Sequence, residues 1–163
     1  TGEEGYSMAI LLKEVNLLHK ALLYATDINA DVLEKAKGGI FPLSGMKQYS
    51  ENYILSGGMA DFSSYYTTRY DYAKFNQDLS SRMVFATHNL VSDGSFNRFQ
   101  LIMCRNVMIY FEKTLQDRVL QLFDQSLETL GFIALGAKET MRFSAVAPQF
   151  KQLGKEKIWR KSP

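Results

Sequence analysis

The chain has 163 residues, 46% of them hydrophobic and 22% charged, with 19 basic and 17 acidic side chains and a net charge of +2. That is enough chain for one domain with a proper core, and the near-balance of charge, without a basic run, argues against nucleic acid as the main partner. Its single cysteine, Cys104, permits no internal disulfide and suits a reducing compartment, and with His19 and His88 as the two histidines a Cys/His zinc site has too few ligands. No apolar stretch approaches the roughly 20 residues that span a bilayer, and no signal peptide is visible.

Residues 3–18 read as a helix, because Met8, Leu11, Leu12, Val15 and Leu18 recur at helical spacing. Glu3 and Glu4 occupy its first turn, where negative charge suits the helix dipole. The apolar run Leu22-Leu23-Tyr24-Ala25 reads as a buried strand ending at Thr26-Asp27. Asn29 is placed to cap a second helix with Val32, Leu33 and Ala36 on its inner face, and Gly38-Gly39 ends it. From 41 to 82 the character changes. Tyrosines are scattered among Gly, Ser and Asp, no helical period holds, and alternation over 64–75 suggests hairpins. This segment reads as an inserted small β-rich subdomain; the competing reading is a surface excursion.

Regular alternation then resumes. Met83-Val84-Phe85-Ala86 and residues 99–104 read as strands, leading to His88-Asn89-Leu90 and to Arg105-Asn106. An amphipathic helix follows, with Leu115, Val119, Leu122, Phe123, Leu127 and Leu130 in one stripe. Thr114 and Asp117 resemble a capping box, and Gly131 is expected to stop the helix. Residues 132–136 read as a buried strand, and 150–161 as a hairpin turning at Gly154. Strands alternating with helices predict an α/β fold: a mostly parallel, Rossmann-like sheet covered on both faces, with an antiparallel edge from the terminal hairpin.

In open α/β sheets ligands lie beyond the carboxyl ends of the strands. The polar residues there are Asp27, His88-Asn89 and Arg105-Asn106. A carboxylate ending such a strand matches a ribose diol, its two oxygens accepting two hydroxyls; a capping or loop aspartate is the other reading. Asn89 and Asn106 carry donors and an acceptor suited to an adenine edge or a ligand carboxylate, or to local loop capping. Thr1-Gly2-Glu3-Glu4 supplies a glycine turn feeding a helix. It resembles a phosphate loop, but two glutamates repel a pyrophosphate and attract an ammonium group. Ribose, adenine and an amino-acid ammonium together describe S-adenosylmethionine, which favours a methyl donor over NAD. Cys104 reads as a small core residue, His19 as an exposed one.

Four blocks carry a more specific signal: Thr1-Gly2-Glu3-Glu4-Gly5-Tyr6-Ser7; Ala25-Thr26-Asp27-Ile28 with Val32-Leu33-Glu34-Lys35-Ala36; His88-Asn89-Leu90; and Cys104-Arg105-Asn106-Val107-Met108-Ile109-Tyr110-Phe111. In this order they resemble the CheR-type chemotaxis receptor methyltransferases, over essentially the whole chain. The resemblance implies a class I S-adenosylmethionine-dependent methyltransferase fold with the β subdomain at 41–82. It further implies that Asp27 binds the ribose, that Glu3 or Glu4 meets the methionine ammonium, that Asn89-Leu90 and Asn106-Val107 line the donor pocket, and that Tyr110 stands near the transferred methyl. Two departures stand out. Gly5 occupies a position where the family usually has proline. The family's central first strand, its helical amino-terminal domain and its Asn-x-Thr-x-Phe-Phe-Arg motif are not in the sequence. The chain is therefore expected to be a fragment with little methyl transfer of its own, its first strand missing.

The reaction implied is methyl transfer to glutamate side chains in the cytoplasmic domain of a chemotaxis receptor, giving glutamyl methyl esters and S-adenosylhomocysteine, in the cytoplasm. A glutamate with an ordinary pKa of about 4.3 is already ionised at neutral pH. It needs no general base, only alignment of oxygen, methyl carbon and sulfur at roughly 3 Å. A non-catalytic S-adenosylmethionine-binding or docking module is the alternative from another class; a nucleotide-dependent oxidoreductase is disfavoured by the glutamates.

Overall fold

The computed structural model describes residues 2–163. The chain forms two compact units, Thr1–His88 and Asn89–Pro163. No helix among the described residues is long and apolar enough to cross a membrane.

The first unit opens with α1 (Glu3–Glu14), which buries Tyr6, Ala9 and Ile10 on one face. It is shorter than the 3–18 expected from spacing. Asn16 takes a positive φ of 56°, which ends the helix, and Leu18 is buried from a separate 3-10 turn. Strand β1 (Leu23–Asp27) leads to α2 (Ala30–Gly38). Asn29 caps α2 as expected: its Oδ1 accepts the backbone N–H groups of Asp31 at 2.9 Å and Val32 at 3.4 Å. Gly39 closes the helix with φ of 63°.

The stretch that follows holds β2 (Ile40–Pro42), α3 (Met46–Leu55), β3 (Tyr66–Arg69), β4 (Tyr72–Phe75) and the single turn α4 (Gln77–Ser80). The three strands make an antiparallel sheet in the order β2-β4-β3. The β3–β4 hairpin lies within the alternation at 64–75, but α3 corrects the expectation that no helix occurs here. Its inward stripe is Met46, Tyr49 and Tyr53, at i, i+3 and i+7, and a stripe built mostly of tyrosine does not register as apolar. Nor is the stretch a surface excursion. Phe41, Phe62, Tyr65, Ala73, Phe75 and Leu79 join Tyr6, Ala9 and Ile10 in one core. The Tyr6 ring stacks on Phe75 at 5.1 Å between centroids and meets Phe41 edge-on at 5.6 Å; such pairs contribute about 0.5–1.5 kcal/mol beyond their buried area. Strand β5 (Met83–Thr87) then returns to pair in parallel with β1, Asp27 opposite Thr87.

The second unit contains β6 (Phe99–Cys104), α5 (Lys113–Ser126), β7 (Leu127–Leu135), β8 (Phe150–Gln152) and β9 (Ile158–Lys161). Their sheet order is β6-β7-β9-β8; β6 and β7 are parallel, and β9 pairs antiparallel with β7 and β8. Val119, Leu120 and Phe123 of α5 pack with Leu127, Ile133, Leu135, Met141 and Trp159. Lys161 and Asp124 form an ion pair at 2.9 Å that ties β9 to α5. The terminal hairpin turns at Gly154, with φ of 56°, as expected.

Two expectations at α5 are corrected. The helix stops at Ser126, so Leu127 and Leu130 belong to β7, and Gly131 is a strand residue. A Cβ at Gly131 would lie 2.8 Å from Leu127 Cγ and 2.9 Å from the Glu128 carbonyl, so glycine there serves the irregular first half of β7. Thr114 does not cap: Glu112 is the boundary residue and makes no side-chain cap. Instead Lys113 pairs with Asp117 at 2.7 Å, and Gln116 Nε2 donates to the carbonyls of Met108 and Phe111. Last, the parallel pairs β1–β5 and β6–β7 belong to separate hydrogen-bonded sheets, where alternation alone predicts one.

Candidate functional site

In the first unit, Asp27 ends β1 and is half-buried. Its carbonyl accepts the His88 N–H at 3.0 Å, which extends the β1–β5 ladder by one step. Its Oδ1 accepts the Asn29 N–H at 2.9 Å, a local turn that fixes the carboxylate at the strand end. Oδ1 is thus engaged in the local turn.

Gly2 precedes α1 with φ of 104°, and its carbonyl accepts the Tyr6 N–H at 3.1 Å. A Cβ on Gly2 would lie 2.8 Å from Ala36 Cβ, so the turn passes directly over α2. This is a close approach that only glycine permits. Thr1, the other residue of the expected turn, lies outside the described residues. Glu3 is half-buried and Glu4 exposed in the first turn of α1. Burial first, and then the Glu3 carboxylate, push the Tyr49 phenol above its ordinary value.

In the second unit, Asn89 and Leu90 open the chain. Asn89 Oδ1 accepts the Val91 N–H at 2.9 Å and its own N–H donates to Asp93 Oδ2 at 2.8 Å, so the oxygen of Asn89 serves the local turn. Leu90 packs against the core beside Ile102 and Phe111. Asn106 and Val107 follow β6. Asn106 takes a left-handed φ of 60°, a conformation asparagine tolerates better than most residues. Both side chains are exposed. Tyr110 ends a 3-10 turn, Met108–Tyr110, and is 82% exposed. Cys104 is buried in the core, as its apolar surroundings suggest, and His19 is exposed.

The residue that sequence reasoning missed is Glu139. It follows β7, is 4% exposed, and accepts four backbone N–H groups. Its Oε1 takes those of Val107 at 3.0 Å and Met108 at 2.8 Å; its Oε2 takes those of Asn106 at 3.0 Å and Gly136 at 2.7 Å. Hydrogen bonds to a charged group contribute about 1.5–3 kcal/mol each, enough to offset the several kcal/mol of burying a carboxylate. The signal was present in Leu135-Gly136 followed three residues later by an acid, at the carboxyl end of a buried strand. A lone glutamate in a polar loop reads as solvated unless its burial is known.

A 380 Å³ depression along α2 and β5 is lined by Leu33, Glu34, Lys37, Met83, Val84 and Phe85, with Ala30 and Thr87, and by none of the expected site residues.

Parallel strand pairs with helical crossovers, polar residues at their carboxyl ends, and a glycine turn feeding a helix with acids in its first turn define an α/β domain of the kind that binds a nucleoside-bearing ligand. Residues 1–158 match the family described as the CheR methyltransferase SAM-binding domain, and the chain belongs to that family. Its fold is accordingly the class I methyltransferase fold and its cofactor is S-adenosylmethionine. The chain is 50% identical to a Pseudomonas putida protein named Cher3 over 163 residues, 99% of this chain and 60% of that protein. It is 33% identical to a chemotaxis protein methyltransferase of Salmonella typhimurium and 31% identical to one of Escherichia coli. Each of these alignments covers 94% of this chain and 53% of the relative. The chain thus spans 53–60% of the length of these three relatives.

Proposed function

We propose that the protein carrying this chain transfers a methyl group from S-adenosylmethionine to glutamate side chains of a chemotaxis receptor's cytoplasmic domain. The observation that carries the reading is membership of the CheR family over residues 1–158, with relatives named chemotaxis protein methyltransferase. In this reading Asp27 holds the ribose, and Glu3 or Glu4 meets the methionine ammonium. Asn89, Leu90, Asn106 and Val107 line the donor pocket, and Tyr110 stands beside the transferred methyl. The segment at 41–82 is an inserted subdomain. The acceptor needs no deprotonation, so the chemistry asks the protein for alignment and exclusion of water rather than for a base. Such a reaction belongs in the cytoplasm, where a receptor presents its signalling helices.

The test uses the full-length protein, methyl-labelled S-adenosylmethionine and a receptor cytoplasmic fragment. A glutamyl methyl ester releases its label as methanol in mild alkali. Label that survives alkaline treatment would mean methylation of nitrogen and would remove the carboxylate assignment.

A further inference from the structure

We propose that Glu139 is a positioning residue for donor binding: its buried carboxylate sets the backbone of the loop Asn106–Val107–Met108, and thereby the side chains that the loop offers to S-adenosylmethionine. The inference rests on the donor-binding reading of Asn106 and Val107 given above.

β6 and β7 are parallel neighbours, with Cys104 opposite Leu135. The loops that leave them therefore start side by side at the sheet's carboxyl edge. Glu139 joins the two. Three consecutive N–H groups of the first loop and the Gly136 N–H of the second converge on its two oxygens. Successive amides converge where left- and right-handed residues alternate, as in an anion-binding nest; Asn106, with φ of 60°, and Val107, with φ of −109° and ψ of −52°, make that alternation. With the amides of this loop turned inward to Glu139, the side chains of Asn106 and Val107 remain exposed. The nest is filled by the chain's own carboxylate. It is therefore closed to a phosphate, in keeping with a donor that has none.

The second loop is anchored as well. The Glu139 N–H donates to the Gly136 carbonyl at 2.9 Å and the Glu139 carbonyl accepts Lys157 Nζ at 2.9 Å, so the carboxylate works from a fixed base. Gly136 leaves room for the arrangement. A Cβ there would lie 2.8 Å from the Asn106 backbone nitrogen and 2.8 Å from Glu139 Oε2, and closer still to Asn106 Oδ1.

Glutamine has the same shape but turns an NH2 group toward two of the four N–H donors. Glu139→Gln should therefore displace the loop while leaving the rest of the core in place. Gly136→Ala keeps the charge and pushes the same loop from behind. In the full-length protein both variants should raise KM for S-adenosylmethionine and weaken S-adenosylhomocysteine binding by about tenfold or more, the scale of a misplaced binding group. KM for the receptor fragment should move by less than about threefold. Trp159→Phe, a core change on β9 that touches none of the Glu139 hydrogen bonds, is the control for stability: fewer folded molecules lower kcat and leave the donor KM unmoved. Donor KM and S-adenosylhomocysteine affinity unchanged in either folded variant would overturn the proposal. Failure of the unmodified protein to bind S-adenosylhomocysteine would instead remove the donor-binding reading beneath it.

Discussion

Replacing Gly39 with alanine tests how α1 is locked onto α2. Gly39 has φ of 63°, and a side chain in that conformation costs about 1–2 kcal/mol. An added Cβ would lie 2.5 Å from the Tyr6 hydroxyl oxygen and 3.1 Å from its Cζ. Tyr6 cannot swing aside. It is 2% exposed and its ring is held between Phe41 and Phe75. Overpacking of this kind costs about 1–3 kcal/mol. The displaced hydroxyl also gives up its hydrogen bond to the Ala36 carbonyl, at 3.2 Å, for a further net loss of about 0.5–1.5 kcal/mol. Together the terms predict a loss of about 2.5–6.5 kcal/mol for Gly39→Ala, against about 0.5–1.5 kcal/mol for Tyr6→Phe alone. In the double variant the hydroxyl is gone and the new Cβ meets only ring carbon. The lost hydrogen bond is then counted once instead of twice and the hydroxyl clash is relieved, so the pair should fall short of additivity by at least about 0.5–1.5 kcal/mol, inside the usual range for contacting residues. Urea denaturation of the four proteins, followed by far-ultraviolet circular dichroism, measures the cycle. Additivity within about 0.5 kcal/mol, the scatter seen for independent sites, would show that the hydroxyl and the glycine do not share this space.

Asp27→Ala removes the strand-end carboxylate and should weaken S-adenosylhomocysteine binding by calorimetry, at about 1.5–3 kcal/mol per charged hydrogen bond lost; unchanged affinity would take Asp27 out of the site. Glu14 accepts hydrogen bonds from the Tyr53 hydroxyl, which holds its carboxyl below the ordinary glutamate range, helped by the Tyr65 hydroxyl at 2.9 Å and the Met59 N–H at 3.3 Å. A folded-state pKa below the unfolded one gives a contribution complete above the unfolded value of about 4.3 and lost as pH falls through the folded value. Glu14→Gln should therefore be less stable than the unmodified protein at neutral pH, with the gap closing below about pH 4. Two denaturation midpoints that stay equally far apart from pH 7 to the acid limb would show that the network makes no titrating contribution.

Much of the element order is legible in the sequence because it rests on local chemistry. The cap at Asn29, the glycines at 38–39, the strand ending at Asp27 and the terminal hairpin all follow from residue types at short spacing, and each stands where the spacing places it. The family resemblance rests on local blocks too, and residues 1–158 match that family. What failed was decided by partners distant in sequence. α3 is amphipathic only because Tyr53 finds aromatic and acidic neighbours in the fold and Tyr49 packs against the same core. α5 ends at Ser126 because Leu127 pairs with Phe99, a competition that helical periodicity in a leucine-rich run cannot register. Glu139 makes the same point at the site. Its sequence surroundings describe a surface acid, and only the parallel pairing of β6 with β7 brings the N–H groups of Asn106, Val107 and Met108 to its carboxylate. The sequence determined the kinds of residue at the strand ends; the tertiary structure decided which of them is buried, because burial and convergent hydrogen bonds depend on strand order rather than on spacing along the chain.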